Sequence, residues 1–275
     1  MTALVWLRRE APLSLVIGLT VTLLWVLAAA FAPLLTSFDP VKIDAANALL
    51  PAGNGHLLGT DSVGRDVLTR ILYGARTDLL MAVAGVFGPF VLGTAIGLVA
   101  GSSGGWLDAL LMRILEVTIS FPYFVLVIAI VSIMGPGLKS YIISLTIVNW
   151  VTYARLIRAE TLVLTQADFV LAARVLGFSR VRIMAMHIFP NAIVPSAVFL
   201  MTDAVLTIVL GSSLGFLGLG VQPPTPEWGV MIAEGRTYLG SAWWISLCPG
   251  VAICSLAFGL SLVADGVAQV LDPEA

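Results

Sequence analysis

Apolar side chains in this chain come in long unbroken stretches rather than at alternating positions or on one helical stripe. Uncharged runs cover residues 11–38, 79–107, 117–138 and 237–264. Two shorter or interrupted ones cover about 140–154 and 191–222, the latter broken by Asp203. A helix needs about 20 apolar residues to cross a hydrocarbon core about 30 Å thick. The pattern therefore predicts an all-α polytopic membrane protein with six spans, at roughly 12–34, 79–100, 112–134, 140–158, 192–214 and 245–265. Pro89, Pro122, Pro195 and Pro249 fall inside these spans, which a helix bundle tolerates when neighbouring groups satisfy the freed carbonyls.

Composition supports that reading. Of the 275 residues, 59% are hydrophobic and 11% charged, with mean hydropathy +1.02, against about 25% charged residues in a soluble domain. Arg8 and Arg9 precede the first run, which at 11–38 is too long for the ~7–15-residue core of a cleavable signal and is expected to span. Lys and Arg near span ends favour the cytoplasmic side. On that bias, with six spans, both termini are expected inside and the loop at about 159–191 is cytoplasmic. Residues 1–50 then form a tail, the first span and the start of an outer segment; residues 51–275 form the core.

Gly93, Gly97 and Gly101 repeat every fourth residue, a spacing that lets helix backbones approach closely. Cys248 and Cys254 share one apolar run and read as small helix residues. The two histidines, His56 and His187, fall in expected loops far from them, so no metal-ligand cluster is expected. The lysines are Lys42 and Lys139, neither preceded by Gly. The chain therefore lacks the G-x-x-x-x-G-K-[ST] phosphate cradle and should not hydrolyse ATP itself.

Residues 161–195 are too polar to span and too patterned for a slack linker. Thr165 with Asp168 resembles a capping box, and Gly177 stands where a helix ends in a left-handed residue. A helix is predicted over 166–176, with Phe169, Ala172, Ala173 and Leu176 on one face and Arg174 off it. It could lie on lipid headgroups or seat in a groove of a partner protein.

FVLAARVLGFSRVRIMAMHIFPN, beginning at Phe169, resembles the cytoplasmic signature loop of permease subunits in binding-protein-dependent ABC importers. The signature is two alanines, a glycine four further on and a hydrophobic–Pro ending, here Ala172, Ala173, Gly177 and Ile188-Phe189-Pro190-Asn191. Stretches 58–76, 153–160 and 213–229 resemble the peptide- and nickel-importing branch. The family's usual Glu before the alanine pair is Leu171 here, which removes one charged contact. The resemblance implies a type I importer fold in a bacterial inner membrane. It further implies half of a pore for short peptides, completed by a second, homologous permease. Two ATPase subunits would bind ATP and Mg, and would dock through Phe169, Leu171, Ala172, Ala173, Arg174 and Gly177. An external solute-binding protein would meet the outer loops.

Other constellations are weaker. Gly101-Ser102-Ser103-Gly104 and the G-x-S-x-G match at 211–215 lack a histidine on a later span and a strand–turn–helix context. Ionisable residues inside spans are functional candidates by default. Arg113 and Glu116 are three apart and can pair on one helix face. Asp203 has no evident partner and could line a pore or meet the second permease. A proton-coupled secondary transporter is the alternative, but it calls for more buried acids and an inverted repeat. Pro223, Pro224 and Pro226 with Trp228 fit a rigid, extended segment or a plain loop between two spans, and the resemblance implies that this surface faces the binding protein.

Overall fold

The computed structural model describes residues 12–53 and 55–271. The expected cytoplasmic placement of both chain ends, with Arg8 and Arg9, lies outside the described residues. Among those described, the chain is helical, with two isolated bridges, Gly53 with His56 and Thr60 with Asp66, in place of a sheet.

The chain divides into two compact units. One holds the described chain up to Leu79, Ala204–Leu217 and the part from Gln222 onward. It contains α1 (Leu13–Ala30), the short α2 (Ala32–Leu35), the first turns of α3 (Val67–Ser103), the end of α9 (Phe189–Phe216), α10 (Trp228–Gly235) and α11 (Trp244–Leu271). No charge interrupts α1, so lipid can cover its outward face. Along its other side it packs on α11, because Gly18 puts no side chain where a Cβ would meet Val263 N at 2.6 Å. Trp25 Nε1 fixes the pair by donating to Ser255 Oγ at 2.9 Å.

The second unit is Leu80–Asp203 with Gly218–Val221. It holds the rest of α3, then α4 (Gly105–Ile119), α5 (Tyr123–Met134), α6 (Leu138–Leu164), α7 (Asp168–Val175), α8 (Arg180–Ile183) and the start of α9. The glycine stripe packs α3 on α6. A Cβ on Gly97 would lie 2.6 Å from Ala154 O, and one on Gly101 2.7 Å from Thr161 Cβ. Arg158 of α6 donates through Nε and Nη2 to the two carboxylate oxygens of Asp108 on α4, at 2.6 and 2.7 Å.

The structure revises the span boundaries in three places. Helix α3 has 37 residues, about 55 Å at 1.5 Å per residue, and starts at Val67 rather than 79. The expected third span, 112–134, is two helices bent by 87° at Ser120–Pro122. Proline has no N–H to donate and disfavours helical backbone in the residue before it. Helix α9 is preceded by a π-helical turn, Met184–Ile188, so His187 sits in a helical segment, not a loop. Among the described residues, four helices are long and apolar enough to cross a membrane, five counting the bent pair as one. Helix α6, 27 residues with Lys139, Arg155, Arg158 and Glu160, is long enough but more polar. Including it, the chain has about six membrane helices.

Candidate coupling helix and buried polar sites

Helix α7 starts two residues later than expected. Thr165 does not cap it; the residue closes α6, its Oγ1 donating to Leu162 O at 2.8 Å. The N-cap of α7 is Ala167, without a side-chain bond, so the capping-box reading fails because Thr165 lies two residues too early. The C-terminal reading holds. Gly177 has φ +80°, Phe178 N donates to Ala173 O at 3.1 Å and Gly177 N to Arg174 O at 3.0 Å. These are the two bonds that close a helix with a left-handed glycine.

The faces of α7 divide differently from the spacing argument. Val170 and Ala173 turn inward and join Ile183, Ile188 and Ala192 in a small core, with Leu98, Leu164, Phe178 and Met184 against it. Ala173 therefore does not belong to the outward contact face expected from spacing. Phe169 and Leu171 are each 44% exposed, and Ala172, Arg174 and Leu176 face outward. Val175, Val181 and Met186 extend this exposed apolar surface. Arg182 lies over the Phe178 ring at 4.3 Å, which stiffens the exit from α7.

Asp203, in α9, is buried and has partners that the sequence did not reveal. Asn149 Nδ2 donates to both carboxylate oxygens, at 2.8 and 2.7 Å, and Tyr153 Oη donates to Oδ2 at 2.8 Å. Both partners lie on α6, one turn apart, so this chain supplies the donors itself. Phe90 and Phe199 pack edge-on against Tyr153, at 5.6 and 5.2 Å between centroids. Arg113 Nη1 pairs with Glu116 Oε2 at 2.9 Å as expected. Both side chains are well exposed, so the pair fills no buried pocket.

The segment around the prolines is the largest correction. It turns at Pro223–Thr225 rather than running extended; Pro223 and Pro224 are exposed and Pro226 is buried. Trp228 is 0% exposed and cannot face a docking partner. Its Nε1 donates to Ile71 O at 3.0 Å, and its ring meets Trp25 edge-on at 5.0 Å. An indole with its N–H satisfied by a carbonyl buries its whole apolar body, which outweighs any value it has as an exposed anchor. Ahead of it Glu227 caps α10, accepting from Gly229 N at 2.6 Å and Val230 N at 2.8 Å. Burial raises the Glu227 carboxyl to about 7, against those two N–H bonds, which favour its charged form.

Sequence reasoning missed an ionic cluster close to this point. Arg65 Nε donates to Asp61 Oδ2 at 2.6 Å, while Arg65 Nη2 and Arg70 Nη2 both donate to Glu234 Oε2, at 2.8 and 3.0 Å. Asp66 accepts from Thr69 N and Oγ1, each at 2.7 Å, and meets His56 Nδ1 at 2.9 Å. The repeated Asp and Arg in 58–76 hinted at pairing, but Glu234 is too distant in the chain for spacing to find it.

The described residues form a helical membrane chain with an outward apolar helix between two of its long helices and with buried polar anchors. Residues 93–275 match the family described as binding-protein-dependent transport system inner membrane component, and the chain belongs to that family. It is 39% identical over 259 residues to the dipeptide transport system permease protein DppC of Alkalihalophilus pseudofirmus, covering 94% of this chain and 85% of that one. It is 38% identical to the probable D,D-dipeptide transport system permease protein DdpC of Escherichia coli, covering 99% and 91%. Its fold is similar to a chain of the MetNI methionine ABC transporter in an inward-facing conformation. The TM-score is 0.58 and the identity 19%, with 73% of this chain and 96% of that one covered. The chain is thus a multi-pass permease component, and the ABC-importer reading stands over the proton-coupled alternative.

Proposed function

We propose that this chain forms half of the translocation pore of an ATP-driven importer of short peptides in a bacterial inner membrane. The observation that carries the reading is α7. It is a short helix locked from beneath by Val170 and Ala173 and closed at Gly177, yet it presents Phe169, Leu171, Ala172 and Arg174 outward. A rigid helix with uncovered apolar side chains suits a groove on a second protein, here one of two ATPase subunits that bind ATP and Mg. Leu171 makes that contact apolar where the family usually places a charge. A second, homologous permease completes the pore. An external solute-binding protein meets the segment carrying Pro223 and Pro224. Short peptides as substrate follow the printed roles of the two permease relatives. In this arrangement residues 51–275 are the permease core, with α7 and both termini cytoplasmic.

The test is uptake by the full complex in proteoliposomes. ATP should drive accumulation of dipeptide with the proton gradient collapsed. Uptake by this chain alone, driven by a pH step, would overturn the reading. Topology is checked with single cysteines at Gln166 and Thr225 in a background without Cys248 and Cys254. They should label from opposite sides.

A further inference from the structure

A cavity of about 800 Å³ opens beside the exit from α7, within the roughly 300–1,000 Å³ of small-molecule sites. It belongs wholly to the second unit. The C-terminal ends of α3 and α6, helices α7 and α8, and the π-helical turn before α9 enclose it. Arg174, Arg180 and Ser103 line it, and Phe178, Val181 and Ile188 give it an apolar wall. Among the described residues neither arginine pairs with a carboxylate, and no acidic side chain lines the cavity. Arg182, over the Phe178 ring at 4.3 Å, adds a third positive charge at that wall. Thr165 and Ser102 donate their hydroxyls to Leu162 O and Val99 O, at 2.8 and 3.3 Å. The Ser103 hydroxyl donates to no other described residue.

This charge around one cavity calls for an anion. A phosphate group suits it, because a guanidinium offers two parallel N–H donors to a pair of phosphate oxygens. A small soluble anion would leave the apolar wall bare, whereas a lipid covers it. The depth of the cavity agrees. It is formed where two membrane helices, α3 and α9, end or begin. Trp106, three residues past Ser103 and 76% exposed, is the kind of side chain that settles at headgroup level.

We propose that this cavity seats the phosphate headgroup of an anionic phospholipid from the cytoplasmic leaflet, held by Arg174 and Arg180. The inference rests on the cytoplasmic placement of α7 in the proposed function. Basic pockets between membrane helices on that side take anionic headgroups. The headgroup ties the end of α3 to the exit from α7, while its glycerol and upper acyl chain cover the apolar wall. Phe169 and Leu171 do not line the cavity, so the lipid leaves free the apolar side chains offered to the ATPase.

The test uses the delipidated complex of this chain with its partner permease and ATPase subunits. Phosphatidylglycerol or phosphatidylcholine is titrated in, and bound lipid is counted by native mass spectrometry. Phosphatidylglycerol should be retained and phosphatidylcholine lost. Arg180→Gln should weaken one phosphatidylglycerol site about fivefold, the worth of one basic residue near an anionic surface. Arg174→Gln combined with Arg180→Gln should weaken it about 25-fold on the same scale. Arg180→Lys keeps the charge and should retain most of the binding. Excess inorganic phosphate should leave the lipid bound. Equal retention of the two lipids, unchanged binding in the double variant, or displacement by inorganic phosphate overturns the lipid site. So does loss of ATPase co-purification in Arg180→Gln with lipid binding intact, which would assign Arg180 to a carboxylate of the ATPase. Lipid retention needs neither ATP nor peptide, so its failure and the failure of ATP-driven uptake are read separately.

Discussion

Two regions of this molecule treat their side chains in opposite ways. Around Asp61, Arg65, Arg70 and Glu234 the chain buries three charged groups, leaves Glu234 24% exposed, and pairs all four within itself. At α7 it leaves apolar side chains uncovered and pairs Arg174 with no other side chain among the described residues. The first arrangement is self-sufficient: buried charges are costly unless paired, and here both ends of every pair come from one chain. The second is incomplete. Exposed Leu, Phe and Val on a helix closed at Gly177 gain free energy only when something covers them. A region that satisfies its own polar groups holds shape; one that leaves apolar area open is where a second molecule belongs.

The sharpest way to break the comparison is to remove one charge from the first region. Asp61→Ala leaves Arg65 without its 2.6 Å partner while Glu234 still offsets part of the charge. A loss of about 3 kcal/mol is expected, the low end for a buried pair cut on one side. Urea or thermal unfolding of the purified chain measures it. An unchanged midpoint would mean that the cluster is wetter than the structure places it.

In the second region the prediction reverses. Phe169→Ala and Leu171→Ala should leave the midpoint unchanged, because neither side chain is enclosed by this chain. Each should weaken co-purification of the ATPase by about 1–3 kcal/mol, the worth of an apolar side chain enclosed by a partner. A fall in stability with normal co-purification would place these residues in the chain's own core instead.

Gly177→Val should be felt less in stability than Asp61→Ala and more than Leu171→Ala. At φ +80° a side chain incurs roughly 1–2 kcal/mol of backbone strain, although a Cβ there meets nothing within 4 Å. The strain redirects the exit from α7, so ATPase co-purification and uptake should both fall while the protein stays in the membrane. Wild-type values of both would show that the glycine end plays no part in docking.

Several of these contrasts were legible in the sequence and others were not, for physical reasons. Spans announce themselves because lipid exposure demands long uncharged runs, as at 11–38 and 237–264. Gly177 was legible because a helix end that needs positive φ selects glycine locally. The bend at Ser120–Pro122 left only Pro122 as a sign, since a proline is tolerated within α3, α9 and α11. Trp228 misled because its burial depends on Ile71 O, a partner 157 positions away. Asn149 and Tyr153 stand four apart on α6 facing Asp203, a donor pair that spacing could have suggested. Nothing local linked α6 to α9. Val170 and Ala173 turned inward because α8 and the π-helical turn fold back beneath α7, a packing that periodicity along one helix does not contain.

The smallest expected effect is a control. Arg113→Ala removes an ion pair whose side chains are 79% and 58% exposed, and such pairs contribute about 0–1 kcal/mol. Neither the unfolding midpoint nor ATPase binding should move. A loss as large as that of Asp61→Ala would erase the distinction between paired burial and surface pairing.

The most direct test of the central claim is a photoreactive residue at Leu171 in the intact transport complex. Illumination should produce an adduct with the ATPase subunit, and its yield should change on adding ATP, as expected if α7 moves with the ATPase dimer. An adduct with lipid alone, whether or not ATP is present, would contradict the account and leave α7 as a helix resting on the membrane surface.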